Sequence, residues 1–223
     1  ARDNPYKKVV FAGVGFETTA PAIAAAILDA GKRCLDNFYV YPLVKLVPPA
    51  LEMVLAQPAH SISALLLPGH VSAVIGLEPY QFVAQKHQVP CVVAGFEALD
   101  ILRAIHMLLV QINQGRAVIE NEYGRAVKSE GNPAAMQAIN TVFEPTFALW
   151  RSIGIIPESG LKFRTHYSNF DAEAFFAPPE FPNEEPKGCR CGAVLMGRAS
   201  PSDCRLFGKA CTPSSAVGPC MVS

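Results

Sequence analysis

The chain has 223 residues, half of them apolar, and its 19 basic and 19 acidic side chains cancel. That balance leaves no electrostatic footprint for nucleic acid or an anionic membrane surface, and the longest apolar runs, 62–68 and 105–110, are far too short to span a bilayer. A protein of the reducing cytoplasm is expected, large enough for one good core and a second, smaller unit.

Residues 8–13 form a short apolar run with β-branched and aromatic members and predict a strand. It leads into Gly15-Phe16-Glu17-Thr18-Thr19 and then an Ala-rich stretch, 20–30, that predicts a helix. Thr18 or Thr19 suits the N-cap, Pro21 the first turn, and Gly31 the residue beyond the end. The rhythm repeats with strand 37–41 and helix 47–57, strand 62–67 and helix 78–88, and strand 90–94 and helix 98–114. Four such units predict a parallel sheet covered on both faces by helices and joined by right-handed crossovers.

After Gly115 the pattern changes to a polar segment through Glu130, a helix over 133–143 and strand-like residues over 150–163. Residues 176–187, rich in Pro and acids, read as an extended linker that delivers the chain to a cysteine segment. Two domains are expected: a parallel-sheet, Rossmann-like α/β domain over 1–115 and a smaller, irregular α+β, cysteine-rich domain over 116–223. The first strand begins almost at the N-terminus and PCMVS ends as abruptly, which suggests a chain cut from something longer.

Ligands of a parallel α/β sheet gather at the carboxyl ends of its strands. The first such loop, Gly13 to Thr19, has GxG after a strand, but Thr18 replaces the third glycine of a dinucleotide fingerprint and Glu17 puts a negative charge where pyrophosphate would sit. Glu17 is favoured at a helix N-terminus by the macrodipole, and a carboxylate beside two hydroxyls also suits proton transfer or the holding of a partner. The second loop presents His70 on a Pro-Gly turn, as a proton carrier or as the orienter of a metal-bound group. In the third, Glu97 reads as a helix-start acid.

Five of the seven cysteines, Cys189, Cys191, Cys204, Cys211 and Cys220, fall within the last 35 residues among Gly and Pro. Thiolates so clustered suit Zn²⁺ or an iron–sulfur cluster. A disulfide framework expects a short secreted chain with paired cysteines, and this count is odd. Cys34 and Cys91 receive no role. One reading is therefore a small-molecule-binding α/β domain with a structural zinc.

Taken together, GFETT at 15–19, PGHVS at 68–72, VAGFE at 93–97 and the cysteine segment with its LFGKAC context resemble the HypD family, maturation factors for [NiFe]-hydrogenases, over essentially the whole chain. The resemblance implies two similar α/β domains and a third that holds a [4Fe-4S] cluster, of which this chain would contain the second α/β domain and the C-terminal portion of the third. The family motif C-x12-C-x6-C-x16-C places Cys191, Cys204 and Cys211 at its first three positions, with the fourth ligand five residues beyond Ser223, and it leaves out Cys189 and Cys220. It further implies that Glu17, Thr18, Thr19 and His70 line a cleft facing cysteines of an upstream domain. There an iron carrying cyanide and CO ligands would be assembled with a HypC-type chaperone and a HypE-type cyanide donor, the cluster serving as electron relay. The implied role is a metallocentre-assembly scaffold with a redox function rather than a conventional enzyme.

Overall fold

Strands β1 (Val9–Ala12) and β2 (Phe38–Tyr41) pair in parallel in the computed structural model, which describes residues 1–58, 60–177 and 186–222. Helix α1 (Ala20–Lys32) makes the crossover, burying Ala20, Ile23, Ala24, Ile27 and Ala30 along one stripe. Pro21 sits in the first turn as expected, whereas Gly31 lies inside the helix. The left-handed residue that turns the chain out is Cys34, with φ 52°.

A second parallel sheet has the order β3 (Leu65–Pro68), β4 (Cys91–Ala94), β5 (Ile119–Asn121). Between β3 and β4 run α3 (Gly69–Ile75) and α4 (Gln81–Gln85), and α5 (Ala98–Asn113) crosses from β4 to β5. The parallel α/β character holds, but the strands divide into two sheets, because α2 (Val47–Leu55) carries the chain from β2 to a separate partner set. Four-residue strands state their direction in sequence and not their neighbours.

Helix α6 (Pro133–Val142) starts at Asn132, whose side chain accepts the Ala135 N–H at 3.1 Å, and Pro133 needs no donor there. It runs directly into an antiparallel hairpin, β6 (Phe143–Trp150) and β7 (Gly154–Phe163), with Phe143 opposite Phe163. The core beneath α1 is closed by this later part of the chain: Val40 and Val44 pack with Ile139, Val142, Phe143, Leu161, Phe163 and Phe170. A separate core joins Leu55, Leu67, Tyr80, Val83, Cys91, Val93 and Val127 beneath the second sheet. β5, beyond residue 115, completes that sheet against β4.

The expected linker falls largely outside the described residues. Its first part is tied back where the Tyr41 hydroxyl donates to the Phe176 carbonyl at 2.6 Å. The cysteine segment opens with α7 (Cys191–Leu195) and docks beside the lead-in to β3, where the Ser61 N–H donates to the Gly197 carbonyl at 2.9 Å. Gly197 sits at φ 63° with its Cα against Ile62, a place where a Cβ would stand 2.8 Å from that side chain. Among the described residues no helix is long and apolar enough to cross a membrane.

Candidate functional site

Three loops at strand carboxyl ends and the cysteine segment carry the candidate chemistry. The loop after β1 is held by a bridge from Gly15 to Val44, and the Lys45 N–H donates to the Gly15 carbonyl at 2.8 Å. A Cβ on Gly15 would collide with Thr19 Oγ1, so the turn requires glycine. Glu17 is only 3 % exposed, and its Oε1 accepts the backbone N–H of Val47 at 2.7 Å. Among the described residues its Oε2 is buried without a partner, and Glu17 borders a mainly apolar cavity of about 180 Å³ lined also by Leu46, Pro48, Pro79 and Phe143. Burial raises the Glu17 carboxyl to about 7, against the opposing pull of its backbone hydrogen bonds.

Thr18 is exposed and Thr19 half-buried at the N-cap of α1, where neither side chain caps the helix. The hairpin closes over this loop. Phe16 faces Trp150 at 6.2 Å, the Trp150 indole donates to Ser159 Oγ at 2.8 Å, and the Ser159 carbonyl accepts the Leu46 N–H at 2.9 Å. Sequence reasoning missed Trp150 and Ser159. Their signal is the aromatic and β-branched content of 143–156, of which only residue 150 onward reads as strand-like.

His70 occupies the first turn of α3 and is exposed, its ring 4.3 Å from that of Phe96 and inclined by 31°. Beneath the pair lies a cluster the sequence did not announce. Asp100 accepts both terminal nitrogens of Arg125, at 2.8 and 2.6 Å, and the guanidinium lies 4.5 Å from the Tyr123 ring centre. This fork holds the Asp100 carboxyl below the usual carboxylate range. Glu97 stands at the N-cap of α5 as expected but makes no side-chain cap, and instead approaches Arg125 at 3.7 Å. Glu17 and His70 therefore differ in kind, one buried against α2 and the other open at the sheet mouth.

In the cysteine segment the sulfurs of Cys191 and Cys189 both approach Gly218, where a Cβ would stand 2.8 and 2.9 Å from them. The Cys220 N–H donates to Cys191 Sγ at 2.8 Å and the Val217 N–H to Cys211 Sγ at 3.3 Å. Burial pushes the Cys191 thiol up to about 12. Backbone N–H groups, that of Leu206 foremost, draw Cys204 below its ordinary value. Among the described residues no three His, Cys, Asp or Glu side chains converge closely enough to grip a single metal ion. Single backbone amides are instead aimed at the sulfurs of Cys191 and Cys211, an environment that suits ligating thiolates.

Parallel β-sheets with motif loops at their mouths and an attached cysteine segment define an α/β protein with a cysteine-rich appendage. The family model described as "Hydrogenase formation hypA family", HypD, matches residues 1–223, and the chain belongs to that family. It is 46 % identical over 229 residues to hydrogenase maturation factor HypD of Rhodobacter capsulatus, and 44 % over 225 residues to hydrogenase maturation factor HypD of Escherichia coli K12. It is also 44 % identical over 229 residues to hydrogenase expression/formation protein HupD of Azotobacter chroococcum. In each case 100 % of this chain and 60 % of the relative are covered, so the chain spans about three-fifths of the length of these relatives.

Proposed function

We propose that this chain is the downstream part of a scaffold on which an iron centre is assembled for [NiFe]-hydrogenase. The observation that carries the reading is the sustained identity of 44 to 46 %, along the entire chain, to proteins named as hydrogenase maturation factors. The site chemistry agrees with it. His70, Thr18 and Thr19 are available at the mouths of the sheets, while buried Glu17 fixes the loop that presents the two threonines. The iron, with its cyanide and CO ligands, is cargo, delivered in the cytoplasm with a HypC-type chaperone and a HypE-type cyanide donor.

Cys204 is drawn towards thiolate, and single amides point at the sulfurs of Cys191 and Cys211, although burial opposes ionisation of Cys191 until an ion binds it. Cys191, Cys204 and Cys211 would hold a [4Fe-4S] cluster, with a fourth ligand from further along a full-length member. Such a cluster supplies single electrons when bound. The protein's own part is to shield the sulfurs and to keep the loops in register with the cleft.

The test is hydrogenase maturation in cells supplied with full-length protein. His70→Ala is expected to abolish maturation while the folded protein accumulates normally. Wild-type maturation by His70→Ala would remove the cleft reading. For the cluster, protein purified without oxygen is expected to contain iron and sulfide that Cys204→Ser loses; stoichiometric zinc without sulfide would instead favour a structural zinc.

A further inference from the structure

We infer that Asp100, Tyr123 and Arg125 are positioning residues for His70, a clamp that sets the imidazole against Phe96 from beneath; the functional weight of this rests on the cleft reading of His70. The argument begins with two glycines. A Cβ on Gly69 would collide with the Ala94 carbonyl and stand 2.6 Å from Tyr123 Cδ1. A Cβ on Gly95 would collide with Asp100 Oδ2 and stand 2.8 Å from Tyr123 Cδ2. The turns after β3 and β4 thus sit on one Tyr123 ring, from opposite edges, at distances only glycine allows.

The ring itself is fixed. Arg125 lies over it at 4.5 Å, and Asp100 holds the guanidinium by two parallel hydrogen bonds. Asp100 is 2 % exposed, in the first turn of the helix that begins just after Phe96. One residue thus anchors both the helix that follows the third loop and the arginine of the fifth strand's loop. His70 follows Gly69 directly, and its ring lies 4.3 Å from Phe96 and 6.4 Å from Tyr123. An exposed imidazole would otherwise sample several rotamers. Here the glycines transmit the position of Tyr123 to the two residues that follow them, His70 and Phe96, so the cluster acts on the imidazole without touching it. Asp100 and Arg125 neutralise one another, so the clamp imposes geometry without adding net charge.

The experiment uses the full-length protein with Arg125→Met, Arg125→Lys and Asp100→Asn, alongside His70→Ala and the distant control Arg116→Met. Two readouts are taken: maturation in cells, and the ring resonances of His70 followed through a pH titration by NMR. Arg125→Met is expected to move the His70 resonances away from their Phe96-shielded positions and to lower maturation by about tenfold or more, the scale of a misplaced reacting group. Arg125→Lys keeps charge without the fork, so it is expected to fall between Arg125→Met and wild type. Asp100→Asn keeps shape at lower cost to folding and is expected to shift the same resonances in the same direction. The double variant Arg125→Met with His70→Ala is expected to mature no worse than His70→Ala alone.

Unchanged His70 resonances in both Arg125→Met and Asp100→Asn would overturn the clamp, whatever happens to maturation. Loss of maturation with His70 undisturbed would overturn it too, since it would assign Arg125 another task. Should His70→Ala mature normally, the cleft reading fails while the resonances still decide the clamp.

Discussion

Glu17 Oε1 accepts the backbone N–H of Val47 at 2.7 Å, so the acid of the first loop caps helix α2, 30 residues away, rather than its own helix. Val47 is the first residue of α2, whose N-cap residue, Leu46, has no side chain able to serve. A carboxyl there satisfies an orphan donor and meets the positive end of the helix. The arrangement also welds the loop after β1 to the segment that leads towards the second core.

Because burial raises the Glu17 carboxyl from 4.5 to about 7, the folded state holds this proton more tightly than the unfolded chain does. Stability from this group is therefore highest below pH 4.5, declines as pH rises between the two values, and is lowest above pH 7. The difference in the shift corresponds to about 3 kcal/mol across that window. Glu17→Gln keeps the acceptor and removes the titration. In urea unfolding series across pH, this variant is expected to lose the decline and to gain on wild type at alkaline pH. Parallel pH profiles for the two proteins would show that folding leaves the proton affinity of Glu17 unchanged.

Tyr80 has no accessible surface, and its hydroxyl, which approaches Ser72, completes no hydrogen bond of normal geometry among the described residues; burial raises its ionisation well above the ordinary range. The ring fills the second core with Leu55, Leu67 and Val83. An unpaired buried hydroxyl costs stability while the ring contributes it. Tyr80→Phe is accordingly expected to raise stability by about 1 kcal/mol in urea denaturation. A loss of similar size would show that the hydroxyl is paired in solution.

Much of this architecture was legible because short apolar strands alternate with amphipathic helices. β1, β2 and β4 and helices α1, α5 and α6 fall where periodicity and turn residues put them. Helix α3 was hidden because Pro68-Gly69 reads as a turn, and in the structure the glycine is the first residue of the helix. β5 was hidden in a polar stretch: Glu120 and Asn121 lie in a three-residue edge strand, where one apolar residue suffices. The strand β6 follows α6 without a loop, so no punctuation marks the change. The site was legible as motifs but not as geometry. Glu17 signals a helix cap, and nothing local says that the helix is α2; Arg125 and Asp100 meet across 25 residues.

Gly218 lies against the sulfurs of Cys189 and Cys191, and its backbone is in the ordinary extended region, φ −124°. Alanine is thus tolerable to the chain but not to the sulfurs, which must give way. Gly218→Ala is expected to lower iron and sulfide content of anaerobically reconstituted full-length protein well below wild type, with the thermal unfolding of the α/β part unchanged. Undiminished iron and sulfide would show that the sulfurs relax freely here.

Cys220 meets Cys191 through its backbone N–H, at 2.8 Å from the sulfur, and Cys220 matches no position of the cysteine spacing. An amide donor to a ligating thiolate stabilises it by hydrogen bonding, and this service does not depend on the side chain of the donor residue. The two contributions separate by substitution. Cys220→Ala keeps the N–H and removes the thiol, and is expected to hold wild-type amounts of iron and sulfide. Cys220→Pro removes the donor from a residue already inside a tight 3-10 turn, and is expected to weaken cluster retention and shift its reduction potential. Cys191→Ser is expected to abolish the cluster. The reverse order, with Cys220→Ala losing iron and Cys191→Ser retaining it, would make the Cys220 sulfur the ligand and reassign the spacing on which Cys191, Cys204 and Cys211 were chosen.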